Sequence, residues 1–239
     1  MTTQTTNVTA GTASGPLRYE DLPGLIALQT GDEKHDGAAA STLDVLWVLY
    51  DEVLHVSPQM MDDPARDRFY LSKGHGPSAY YAVLAANEFF PVDWLPTFGA
   101  FDSPLGYHPD RNLVPGMEIS SGSLGHGLPL AVGTVLGLRA QGLTCRVVTL
   151  VGDAELDEGT NAEAIEFAGA AGLAALTVVA VDNDSATWGW RGGLETRFAV
   201  AGWDVSRVDG RDHASLAAAL RRTHATMPTL VVAQVEANS

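Results

Sequence analysis

The spacing of apolar positions changes near residue 145. Before it, apolar residues fall mostly at helical intervals. Leu43, Leu46, Trp47, Tyr50, Val53 and Leu54 in "AAASTLDVLWVLYDEVLHV" recur with the period of one helix face. "PSAYYAVLAANEFF" reads as a second helix with Pro77 at its first turn, where a missing N–H costs nothing. "GLPLAVGTVLGLRAQG" reads as a third, whose small residues permit close packing. After residue 145, short β-branched runs alternate with helical ones. "CRVVTLVGD", "ALTVVAVDN", "WDVSRVDG" and "PTLVVAQV" predict strands, while "TNAEAIEFAGAAGL", "GGLETRFAVAG" and "HASLAAALRRTHA" predict helices. Strands alternating with helices imply an α/β fold, a parallel sheet covered by helices on both faces. Residues 17–239 are expected to form one domain with no internal linker.

Composition narrows the partners. Fourteen Lys+Arg against 29 Asp+Glu leave a formal charge of -15. That argues against nucleic acid and anionic membranes, whose phosphates need a basic face. It leaves room for a small phosphorylated ligand, which backbone N–H groups and a metal ion can hold. One cysteine, Cys145, excludes an intramolecular disulfide and a cysteine-ligated zinc site. At the head of an apolar run, it is expected to be a small buried core residue. No apolar stretch approaches the length of a membrane span. "MTTQTTNVTAGTASG" has neither a basic start nor an apolar core, so residues 1–16 read as a disordered tail rather than a secretory signal. The expected location is cytoplasmic.

Parallel sheets bind ligands beyond the carboxyl ends of their strands. Two strand ends are polar here, "VGDAELDEG" and "VDNDSATWG". Gly152 suggests a sharp turn, Asp153 places a carboxylate above the sheet, and Asn183, thirty positions on, places an amide oxygen above the next strand. Few, hard oxygen donors suit Mg²⁺ that also holds phosphate and water. Each residue also has a plain structural reading: Asp153 as a helix N-cap, Asn183 as a turn residue. "GHGPSAYY" and "SSGSLGHG" each set a histidine between glycines, which taken singly is ordinary loop chemistry. There is no Walker A sequence, no His-Glu-x-x-His, no nucleophile elbow and no dinucleotide fingerprint.

Together these motifs carry a resemblance. "GDAELDEG" followed by "VDN" resembles the thiamine diphosphate motif, and the chain is similar, in order, to the amino-terminal half of transketolases. "KHDGAAASTLDVLWVLY", "DRFYLSKGHGPSAYYAVLA", "GYHPD", "EISSGSLGHGLPLAVG" and "GWDVSRVDGRDHASLAAAL" carry it over about residues 20–235. The resemblance implies a diphosphate-binding domain. Asp153, Asn183 and the Ser185 carbonyl would hold Mg²⁺, and His75 would lie by the diphosphate of thiamine diphosphate. Gly122 and Leu124 would meet the cofactor ring, with Gly152, Ala154 and Glu155 also in the cofactor site. His35, His75 and His108 would serve as the catalytic histidines of a channel for a sugar-type substrate, and Glu158 would stand at a subunit interface.

The departures are Ala154 in place of the motif's second glycine, His126 where glutamine is frequent, and Arg211 where histidine is frequent. The alanine is tolerable only if its φ stays negative. The family's later glycine- and lysine-rich loop and its pyrimidine-binding domain are not in this sequence. By resemblance to split transketolases, a second polypeptide carrying the pyrimidine-binding and carboxyl-terminal domains is expected to complete an α2β2 assembly. The expected reaction is transfer of a two-carbon ketol unit. The alternatives are a first component of a 2-oxo-acid dehydrogenase, which passes an acyl unit to a carrier, and a non-catalytic scaffold of the same fold.

Overall fold

The computed structural model describes residues 16–30, 36–187 and 189–236. The expected tail up to Gly15, and His35, lie outside them. Five strands form one wholly parallel sheet: β1 (Arg68–Leu71), β2 (Val147–Gly152), β3 (Leu176–Asp182), β4 (Asp204–Asp209) and β5 (Thr229–Gln234), in the order β1-β2-β3-β5-β4. The helices are α1 (Leu22–Ala27), α2 (Asp36–Val48), α3 (Ser78–Ala86), α4 (Gly127–Ala140), α5 (Gly159–Ala170), α6 (Gly193–Val200) and α7 (His213–Arg221). The sequence pattern anticipates β2 to β5 and α2 to α7, with the ends of several helices shorter than expected. It does not anticipate β1 or α1.

Side-chain alternation along the central strands divides the core. Val148, Leu150, Val179, Val181 and Val231 face α1, α2, α3 and α7, with α3 supplying the fully buried Tyr80 and Tyr81. Val147, Val151, Val178, Ala180 and Val232 face α4, α5 and α6. This two-sided burial is why β2 and β3 read as unbroken apolar runs. The edges are managed differently. β1 is only four residues long, and β4 is half-exposed and carries Arg207, which pairs with Glu195 and Asp182. Beyond α2 the chain widens into a π turn at Leu49–Val53, closed by a hydrogen bond from Leu54 N to Leu49 O at 2.8 Å. Cys145 is only partly buried, at the rim of the second core, because it precedes β2 instead of lying within it.

Arg211 has a structural role. Its guanidinium reaches Asp44 of α2 at 2.6 Å and Glu236 at 2.7 Å. Asp44 also accepts from Tyr19 at 2.7 Å and meets the His213 ring at 2.8 Å. Burial pushes the Asp44 carboxyl up, but the hydrogen bonds from Tyr19, His213 and Arg211 outweigh it and leave the group below its ordinary value. A depressed folded-state value contributes stability above the ordinary carboxylate value and loses it as pH falls. Asp44→Asn should therefore cost roughly 2 kcal/mol at neutral pH, and less as pH drops below about 4. Thermal unfolding at both pH values measures this; equal melting temperatures at neutral pH would remove the cluster from the stability account.

Candidate functional site

At the carboxyl ends of β2 and β3 lies a pocket of about 220 Å³ lined by Lys73, His75, Leu124, Gly152, Asp153, Ala154, Glu155, Asn183 and Ser185. Register explains the convergence. Gly152 pairs with Val181, and Asp153 N donates to Val181 O at 3.0 Å, so the residues following the two strands stand side by side. Asp153 and Asn183 are nearly inaccessible, at 3% and 2% exposure.

Both readings of Asp153 hold. It caps the short turn Ala154–Asp157, Oδ1 accepting from Ala154 N at 2.8 Å. It also faces the pocket. Oδ2 accepts from Ser185 N at 2.6 Å and Ala186 N at 3.2 Å, and the Ser185 hydroxyl donates to Oδ1. The loop can turn back this way because Asp184 takes a left-handed φ of 56°, a conformation Asp tolerates better than most residues. Ala154 is not among the left-handed residues, so its methyl group is accommodated. Gly152 is not left-handed either. The sharp turn expected there is instead the end of a strand, and an added Cβ would meet only the Lys73 side chain, at 3.5 Å.

The sequence reading missed Ser72 and Lys73. Lys73 is buried, donates to Ser41 Oγ at 3.0 Å and lies beside Asp153 and Glu155. Burial lowers its ammonium below the ordinary lysine value, while the two carboxylates act in the opposite direction. Glu155, 2% exposed, accepts from the Ser72 hydroxyl, from Gly125 N at 3.0 Å and from Gly152 N at 3.3 Å. Burial pushes its carboxyl up, against the pull of these donors and of Lys73.

The two histidine-bearing loops lock into one another. A Cβ on Gly74 would lie 2.6 Å from Gly122 N, and a Cβ on Gly122 would lie 2.9 Å from the His108 ring. Gly122 is thus held between the His75 turn and His108. His75 is exposed and lines the pocket, whereas exposed His108 stands across loop 120–127 from it. Leu124, at the loop tip, is 42% exposed. Glu158 is exposed at the head of α5, beneath Gly125, and the His126 ring meets the Ser123 hydroxyl at 3.5 Å.

Among the described residues no group of three His, Cys, Asp or Glu side chains could hold a metal ion. A cation here would need the Asp153 carboxylate, the Asn183 amide oxygen, a carbonyl of the following loop and oxygens of its own ligand. That donor set suits Mg²⁺, which keeps water and phosphate in its shell. All four lone-pair positions of Asp153 are engaged by the chain, so a cation must displace one donor. The rotatable Ser185 hydroxyl is the most easily released. Among the described residues no helix is long and apolar enough to cross a membrane.

Comparison with known proteins gives a consistent result. The family described as "Transketolase, thiamine diphosphate binding domain" matches residues 24–236. A Rhodococcoides fascians protein named "Ferredoxin fas2" is 54% identical over 222 residues, covering 92% of this chain and 73% of that one. An apulose-4-phosphate transketolase subunit from Actinobacillus succinogenes is 36% identical over 184 residues, covering 74% of this chain and 67% of that one. The "6-deoxy-6-sulfo-D-fructose transketolase subunit SqwG" of a Clostridium species is 34% identical over 194 residues, covering 79% and 70%. A solved transketolase from Leishmania mexicana superposes with a TM-score of 0.71 at 24% identity, over 92% of this chain. This chain spans 37% of that enzyme. The word ferredoxin belongs to the first relative. An iron–sulfur cluster takes four cysteine thiolates, or two with two histidines in a Rieske centre, and this chain has one cysteine.

Proposed function

The chain belongs to the family of transketolase thiamine diphosphate-binding domains, and from that premise we propose that it is the diphosphate-holding subunit of a two-chain transketolase. The observation that carries this reading is the convergence of Asp153, Asn183, Ser185 and His75 in one pocket at the carboxyl ends of β2 and β3. The transketolase names of the subunit relatives favour ketol over acyl transfer. The substrate class is a ketose donor with a sugar-type acceptor, and the assembly is α2β2 in the cytoplasm.

When bound, thiamine diphosphate supplies the carbon nucleophile and electron sink that ketol transfer needs. The chain's own residues hold and orient it. Asp153, Asn183 and the Ser185 carbonyl take Mg²⁺, and Lys73, the only Lys or Arg among the described residues that line the pocket, offsets diphosphate charge. Gly152 and Ala154 offer backbone beside the diphosphate, and Gly122 and Leu124 place the loop against the ring. His75 and His108, with His35, hydrogen-bond the donor's carbonyl and hydroxyl oxygens and move protons there, a role worth about 10²–10⁴-fold.

Calorimetric titration with thiamine diphosphate, with and without Mg²⁺, tests the reading, because a scaffold need bind neither. The Ser185→Ala variant refines the test. Removing a hydroxyl that competes for Asp153, while keeping the carbonyl, should preserve Mg²⁺-dependent affinity or raise it by up to about fivefold. A tenfold loss would show that the hydroxyl itself is needed.

A further inference from the structure

Glu155 lines the pocket, yet its carboxylate is turned into the protein. Oε1 accepts from the Ser72 hydroxyl and Gly125 N, and Oε2 from Gly152 N. The Ser72 hydroxyl in turn accepts from Gly127 N at 3.0 Å. On the far side of Gly125, its carbonyl accepts from Thr160 Oγ1 at 2.9 Å. Contacts follow the same line. A Cβ on Gly127 would collide with the Ser72 side chain, and Gly125, with φ of 82°, packs on Glu158 and Thr160. One buried carboxylate therefore ties three segments together: the end of β1, the end of β2, and the loop that leads into α4.

Resting on the reading of this pocket as a thiamine diphosphate site, we propose that Glu155 is a positioning residue. With Ser72, it latches loop 120–127 to the sheet and so fixes where Gly122 and Leu124 meet the cofactor. A carboxylate suits the task because it accepts from donors on two sides at once. An amide in its place would turn an N–H toward either Gly125 or Gly152. Among the described residues, Glu155 and Ser72 supply the hydrogen-bond acceptors for the Gly125 and Gly127 amides, so the loop's two amides depend on this pair.

The test uses the ligand-free chain and then the same proteins with thiamine diphosphate and Mg²⁺. In Glu155→Ala, amide hydrogen exchange at Gly125 and Gly127 should speed by about tenfold or more, with Leu150 and Val179 in the sheet unchanged. The dissociation constant of the cofactor with Mg²⁺ should rise about tenfold, the scale on which supporting residues act. Glu155→Gln should restore most of the protection at Gly125, which a generally loosened fold would not do. Ser72→Ala should expose Gly127 while leaving Gly152 protected, and it carries the test with Glu155→Gln if the alanine variant does not fold. Unchanged exchange at Gly125 and Gly127 overturns the latch. Faster exchange with unchanged cofactor affinity overturns its positioning role. If the wild-type chain binds no cofactor, the functional reading fails, while the exchange data still decide whether the latch exists.

Discussion

Asp153→Ala is expected to abolish Mg²⁺-dependent binding of thiamine diphosphate, weakening it by at least about 100-fold. Losing a supporting residue around a metal already costs about 10–100-fold, so losing the only carboxylate ligand should cost more. Asp153 is 3% exposed and anchors the loop carrying Ser185 and Ala186, so the variant loses structure there as well. The fold should survive, because among the described residues Asp153 joins β3 only through its backbone N–H to Val181 O, which alanine keeps, and the paired register from Val147 to Gly152 is untouched. Three backbone N–H groups lose a partner at a pocket that water can enter, a cost of roughly 1–3 kcal/mol. Calorimetry with Mg²⁺ and circular dichroism on the same sample separate the two effects. Normal affinity together with a normal spectrum would sink the metal assignment.

The sequence made most of this pocket legible because its parts flank strands that are easy to read. β2 and β3 are continuous apolar runs closed by polar turns, so the apolar pattern alone places Asp153 and Asn183 at neighbouring strand ends. β1 cannot be read in the same way. "RFYL" is short and begins with Arg68, a charge that normally signals the surface. Here Arg68 is buried because it donates to the carbonyls of Arg66 and Pro64. α1 is equally obscure: "LPGLIA" contains a proline and a glycine, and its packing on α3 sustains it. Missing β1 entails missing Ser72 and Lys73, to which the pattern of apolar positions gives no buried place. Only the pairing of β1 with β2 brings them beside Glu155 and Asp153. The glycines illustrate a second limit. The sequence shows only glycines flanking histidines in two loops, and the structure shows Gly74 and Gly127 used for close approach between segments of the chain, Gly74 against Gly122 and Gly127 against Ser72.

This chain alone is expected to show no ketol transfer, at least about 10³-fold below its activity when combined with the second polypeptide. Thiamine chemistry needs a carboxylate that hydrogen-bonds a pyrimidine nitrogen, and proton transfer of this kind is worth about 10²–10⁴-fold before binding losses are counted. Among the described residues the pocket has two carboxylates, and neither is available. Asp153 is committed to the loop and, in the proposed site, would also hold the cation, and Glu155 is closed off by Ser72, Gly125 and Gly152. On the split-site reading, the activating carboxylate comes from outside the described lining of this pocket. The surface next to it is suited to a partner. Leu124 and Leu130 are 42% and 49% exposed, and among the described residues nothing beyond the helix's own backbone lies within 4 Å of a Cβ placed on Gly133 or Gly137 of α4. Small residues in α5 behave differently, since Gly169 is pressed against the Ala201 carbonyl inside the chain. The open small-residue face thus belongs to α4, beside the loop that would meet the cofactor ring. Mixing the chain with a pyrimidine-binding polypeptide should give a light-scattering mass of two copies of each. Activity with thiamine diphosphate, Mg²⁺ and a ketose should appear only in that complex. Substituting Leu130 with Asp should then weaken assembly while leaving cofactor binding to the isolated chain intact. Full ketol transfer by the isolated chain would overturn the shared site, because it would require an activating carboxylate that the described residues of this pocket do not offer.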